Sequence, residues 1–235
     1  MTDFTDRGFG RLPAPDARDR QYPMRAALRP VALPAQRYYA TGPQLPLDQG
    51  QTGTCVAHAW TGFLLAAPMM DKTVPSAFDT YRGLVLEDEF TENDVEALLP
   101  NAQLQYGSSV RGGAKYFQSQ GRLKSYVWAS GVEDMRRWLL GGFGTVVLGT
   151  EWHWNMSELD RAYRAHFGGG IAGGHAYLCI GYSTPKKMFR CLNSWGPTFG
   201  AHGRFWIHQD DMAILLAAQG EAAAAVEQAI PPVSA

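Results

Sequence analysis

Cysteine is scarce in this chain: Cys55, Cys179 and Cys191 are the only three among 235 residues. An odd number cannot all pair, and Cys179 and Cys191 are expected to be reduced and buried. The short paired spacing of a structural zinc site is also missing, so no metal and no cofactor is implied. Neither sign of charge dominates, with 21 basic against 22 acidic residues and a formal net charge of −1. That balance argues against a general nucleic-acid binder. No apolar run reaches membrane-spanning length, so no membrane partner is expected. The first seven residues, Met1 to Arg7, are acidic and lack the apolar core of a signal peptide. The expected setting is a reducing cytoplasm. Release by a route that needs no such signal, including within a phage particle or larger virion assembly, stays open.

What the chain does have is a 46% hydrophobic content with 18% charge, enough to bury a substantial core. It also has the stretch Asp48-Gln49-Gly50-Gln51-Thr52-Gly53-Thr54-Cys55. Cys55 heads an apolar run, Val56 to Ala67, that reads as a helix ended by Pro68, with Thr54 as the expected N-cap. A helix N-terminus favours a thiolate, and Gln49, six residues upstream, offers an amide that can stabilise an oxyanion. The bland alternative for this cysteine alone is an inert buried thiol.

A second segment bears on that choice. Gly173 to Tyr182 and Phe189 to Gly196 read as two strands joined around Pro185-Lys186-Lys187. Such a hairpin can hold His175 and Asn193 side by side, and a histidine oriented by an amide is the base half of a cysteine nucleophile system.

Taken together, these motifs resemble the papain-type cysteine peptidases. Gln49 and Cys55 match the family's first motif, Gly174-His175-Ala176 its second, and Asn193-Ser194-Trp195-Gly196 its third. The glycine-rich stretch after Trp195 and the strand ending at Ile207 are similar too. The resemblance covers roughly residues 45–208. It implies an α+β, two-lobed fold: a helical lobe (about 51–130) with a central helix headed by Cys55, an antiparallel β-barrel-like lobe (about 131–216), and an active-site cleft between them.

The resemblance further implies a polypeptide substrate hydrolysed through Cys55, His175, Asn193 and Gln49. Gly107, Ser108 and Gly174 would contact that substrate, and Trp195 would shield the histidine. Thr52 stands where the family signature has a cysteine, so a disulfide usual in secreted members is missing. The Cys55-to-His175 interval is shorter than the signature's, which implies trimmed loops. Two alternatives accompany the peptidase reading: a non-catalytic structural or interaction protein reusing the fold, and an amide transferase or deamidase using the same thioester chemistry.

Outside the motifs, residues 1–40 are rich in Pro, Arg and Asp and are expected to form an extended arm over the surface, fixing the lobes together. The inhibitory propeptides of secreted members are longer and helical. Helices are expected after caps at Ser76 and Ser109, and over Val132 to Leu140, with a strand over Thr145 to Gly149. Gly112 and Gly113 within one helix point to close packing against the central helix. The acidic residues between Glu87 and Glu96 read as a solvated face. His58 is expected as a core or cleft-wall residue, and His153 on one side of the cleft. The domain is read as residues 41–216, followed by an alanine-rich tail, 217–235, helical and then frayed.

Overall fold

A computed structural model of the chain describes residues 7–87 and 106–226. Most of the acidic cluster after Glu87, and the end of the tail, lie outside the described residues. The arm carries a short helix α1 (Met24–Ala27) and strand β1 (Gln36–Tyr38) before the first motif. Helix α2 (Cys55–Leu65) follows, and all eleven of its residues are buried. A helix apolar on every side has to be surrounded. Helices α3 (Ala77–Glu87) and α4 (Val110–Ser119) pack around it on one side.

The expected cap at Ser109 is present, its hydroxyl accepting the Gly112 N–H at 2.8 Å, and the Ser76 hydroxyl accepts that of Asp79 at 3.2 Å. Thr54 differs from expectation. Its side chain makes no cap bond and turns to Thr52 (2.7 Å) and His58 (3.1 Å). The first N–H groups of α2 are therefore not capped by a side chain. Gly113 does fit tightly against the central helix: a Cβ there would sit 2.1 Å from Cδ1 of Trp60.

On the other side of α2 lies one sheet. Its strands are β2 (Tyr126–Trp128), β3 (Val146–His153), β4 (Arg164–Ala165), β5 (Ile171–Ser183), β6 (Met188–Leu192), β7 (Arg204–His208) and β8 (Glu221–Ala225), in the order β2-β8-β3-β5-β6-β7-β4. Strand β1 also pairs with β5, and the β4–β7 pair is parallel while the other pairs are antiparallel. The sheet does not close on itself, so the β-barrel-like expectation gives way to an open sheet. Helices α5 (Val132–Gly141) and α6 (Gln209–Ala217) contribute to the core on its far face. Alternation along the strands divides the interior in two. Val147, Ala176, Leu178 and Ile180 face the α2 side, whereas Val146, Leu148, Tyr177 and Cys179 face the other.

The alanine-rich segment is the second correction. Residues expected to be helical form β8, seated between β2 and β3. Ala223 enters the α2-side core, and Ala222 and Ala224 the opposite one. Alanine's helix preference is weak beside the ladder and the burial of both faces. The sheet therefore takes in both β2 and β8.

Replacing Gly113 with alanine should lower stability. Its better helix propensity is worth roughly 1 kcal/mol, whereas overpacking against buried Trp60 costs about 1–3 kcal/mol. A denaturant midpoint at or above that of the parent chain would contradict the packing account.

Candidate active site

Cys55 is the first residue of α2 and is completely buried. Backbone N–H groups of Ala176, Gly10, Val56 and Cys55 itself interact with its sulfur. The contact with Ala176 sets the thiol next to β5, one residue from His175. The uncapped helix terminus thus points its N–H groups at a sulfur atom.

His175 lies opposite Thr150 of β3, and its Nε2 is 2.8 Å from Oδ1 of Asn193. The N–H of Ser194 donates to the same atom at 2.9 Å, which identifies it as the amide oxygen. Nε2 must then carry the hydrogen, leaving Nδ1 as the basic nitrogen of the neutral ring. Nδ1 is buried with no hydrogen-bond partner among the described residues. Since Leu178 pairs with Leu192, Asn193 follows β6 at a position diagonal to His175, not directly opposite it. Trp195 and Trp152 lie with ring centroids 4.9 and 5.0 Å from that of His175.

Gln49 is held from the opposite motif. Its Oε1 accepts from the Ser194 hydroxyl at 2.7 Å, and its backbone N–H donates to the Ser194 carbonyl at 2.9 Å. That fixes the direction of the Nε2 donors. Ser194 and Trp152 have no individual role in the motif reading; the serine of Asn-Ser-Trp-Gly was the available signal for the first. His58 is buried, its Nδ1 bonded to the Thr54 carbonyl at 2.9 Å, and burial lowers its pKa. His153 is buried against Phe167, ring centroids 4.2 Å apart, and lies 3.6 Å from Glu151.

No family model and no curated protein sequence matches the chain. Solved structures do. Xylellain, a cysteine protease from Xylella fastidiosa, superposes with a TM-score of 0.65 at 19% identity, over 96% of each chain. Procathepsin L2 from the larval midgut of Tenebrio molitor gives 0.63 at 16% identity, over 96% of this chain and 80% of its own. Procathepsin B from Trypanosoma congolense gives 0.61 at 12%, over 94% and 86%. The chain has the papain-like fold.

In this papain-like cleft the occupant is the start of the chain's own arm, while residues 12–37, Met24 apart, stay exposed or half-buried. Gly10 and Arg11 are buried. Their N–H groups donate to the Gly174 carbonyl at 3.0 and 2.9 Å. Ser108 receives the next turn of the ladder: its N–H donates to the Gly10 carbonyl (2.7 Å) and its carbonyl accepts from Leu12 (2.9 Å). Gln49 Nε2 donates to the Gly8 carbonyl at 2.9 Å and to that of Thr52 at 2.8 Å. Phe9 meets His175 and Trp195 edge-on, at 5.8 and 6.0 Å between centroids. The approach is close enough that a Cβ on Gly10 would stand 1.8 Å from the Gly53 carbonyl oxygen, and one on Gly174 2.1 Å from that of Arg11. Gly107 likewise borders the arm: a Cβ there would lie 2.6 Å from the Gly10 carbonyl oxygen and 2.7 Å from Leu12.

Burial sets the charge state. The Cys55 thiol is pushed up to about 11 by desolvation, against the pull of the surrounding N–H groups. The His175 ring is pushed down to about 4 by desolvation, which its bond to Asn193 only partly offsets. Both groups are therefore neutral around pH 7 with the arm in place. A lowered histidine pKa means that the closed state loses stability as pH falls from 6.5 towards 4, because a hydrated imidazole takes up a proton that the buried one refuses. Hydrogen exchange at the Gly10 and Arg11 amides, corrected for intrinsic rates, should accelerate between pH 6.5 and about 4.5, and less so in His175→Ala. A flat profile would contradict this account.

Proposed function

We propose that this chain is a cysteine-type peptidase that hydrolyses polypeptides through Cys55, His175, Asn193 and Gln49. The observation that carries the reading is a peptide carbonyl, that of Gly8, held by Gln49 Nε2 beside the helix that Cys55 heads. An amide clamped by Ser194 and already binding a backbone carbonyl is suited to hold an oxyanion. Gly107, Ser108 and Gly174 line the path of a bound main chain and would serve a substrate in the same way.

With the arm displaced, water and substrate polar groups relieve the desolvation, and the thiol proton passes to Nδ1 of His175. The resulting thiolate attacks the scissile carbonyl carbon. Gln49 Nε2 and the Cys55 N–H stabilise the oxyanion. His175 then protonates the leaving amine as the tetrahedral species collapses to a thioester. Water, deprotonated by the same imidazole, releases the acid and restores the thiol. Asn193 keeps Nε2–H fixed, so the ring offers Nδ1 throughout, and Trp195 with Trp152 shields that bond.

A papain-directed epoxide should label Cys55 in the folded chain, more rapidly in Phe9→Ala, where the arm grips less. Gln49→Ala should reduce kcat on an unfolded protein substrate by about 10²–10³-fold, the cost of one oxyanion donor elsewhere. Cys55→Ala should abolish turnover. A folded chain whose Cys55 takes no epoxide between pH 5 and 8, even in Phe9→Ala, would instead favour the scaffold reading.

A further inference from the structure

Beyond its main chain, the arm places one side chain deep in the cleft, and that residue is charged. The Arg11 side chain is 2% exposed and meets the carboxylate of Glu221, itself 7% exposed. Both Nε and a terminal nitrogen of Arg11 donate to Glu221 Oε2, at 3.1 and 2.7 Å, and the same terminal nitrogen also reaches the Gln219 carbonyl. Glu221 begins β8, and its cross-strand partner on β3 is Gly149. A Cβ at Gly149 would lie 3.1 Å from Arg11 Nε and 3.2 Å from Arg11 Cγ, so the missing side chain is the room that the arginine stem fills. Val110, at the start of α4, closes the other wall, 2.5 Å from the same point.

We infer that Glu221, Gly149, Val110 and the Gln219 carbonyl form a pocket that selects a basic side chain in the substrate. Arg11 holds the place of that side chain while the arm is seated. The inference rests on the peptidase reading and names the substrate class for that cleft. Three observations support it. First, the backbone that carries Arg11 is bound by Ser108 and Gly174, the groups that would bind a substrate main chain, so its side chain enters where a substrate residue would enter. The Arg11–Ser108 pairing is parallel, but one N–H and one carbonyl on an edge serve a strand of either direction.

Second, covering the cleft does not require a charge. An apolar side chain would fill the space without the cost of burying a carboxylate, which is tolerable only against a well-placed cation. Burial raises the pKa of Glu221 even with Arg11 attached, and its Oε1 has no hydrogen-bond partner among the described residues. Third, the fork of contacts from Nε and a terminal nitrogen is a guanidinium geometry, which favours arginine over lysine.

The test uses the full chain carrying Arg11→Ala, which empties the pocket, with and without Glu221→Gln, which keeps the side-chain shape and removes its charge. In a positional library of fluorogenic peptides, one position should prefer arginine over leucine by at least about tenfold, a margin of about 1.4 kcal/mol. Glu221→Gln should lose that preference while still cleaving leucine peptides. Cleavage with no basic preference, or a preference that survives Glu221→Gln, overturns the pocket and leaves the peptidase reading intact. If no peptide is cleaved, the peptidase reading fails, and calorimetry with acetyl-arginyl-leucine amide decides the pocket. Binding to Arg11→Ala, weakened at least about tenfold by Glu221→Gln, upholds it; equal or absent binding overturns it.

Discussion

The packing of the wholly buried helix α2 against strand β5 is the constraint on which the rest depends. It brings the start of the helix to the middle of the sheet, so the Cys55 sulfur meets the Ala176 N–H and sits one residue from His175. A helix with no polar face can end only where its N-terminus finds other partners for its N–H groups. Here those groups are left to a sulfur atom because Thr54 turns aside to Thr52 and His58. The two interior cores on either face of the sheet hold that relation rigid from both sides.

From this relation a second clamp follows. Ser194, next to the asparagine that orients His175, bonds the side-chain amide of Gln49 and so connects the histidine motif to the cysteine motif. One dipeptide, Asn193-Ser194, thereby sets both the tautomer of His175 and the aim of the Gln49 Nε2 donors. The arm then takes up the polar groups of the finished cleft: Gln49, Gly174 and Ser108 each bind it. It also adds to the burial of Cys55 and His175, through the Gly10 backbone at Cys55 and the Phe9 ring at His175. Glycines at positions 10, 107 and 174 make the approach possible, since a Cβ at any of them would overlap the facing chain.

Much of this was legible in the chain itself. The apolar run after Cys55, the caps at Ser76 and Ser109, and the alternating strands around His175 each follow from local patterns of spacing and polarity. The glycine pair in α4 pointed to close helix packing, and Gly113 meets Trp60. Other elements were decided by their neighbours. Alanines 222–224 have a local preference for helix, yet the gap between β2 and β3, with cores on both faces, draws them into a strand. The openness of the sheet is likewise a property of how strands meet, which no single strand encodes.

The sequence by itself determined the chemistry: which thiol heads a helix, which imidazole has an amide nearby, and which glutamine stands six residues before the cysteine. These are local matters, set by side-chain type and short spacing. Only the tertiary structure decided the state of that chemistry. The N-terminal arm and Glu221 are separated by most of the chain, and nothing in the spacing of Arg11 from Cys55 or Glu221 requires them to meet. Their meeting is a product of long-range burial, in which a carboxylate removed from water pairs with the Arg11 guanidinium. That contact is part of the seat that keeps the thiol covered.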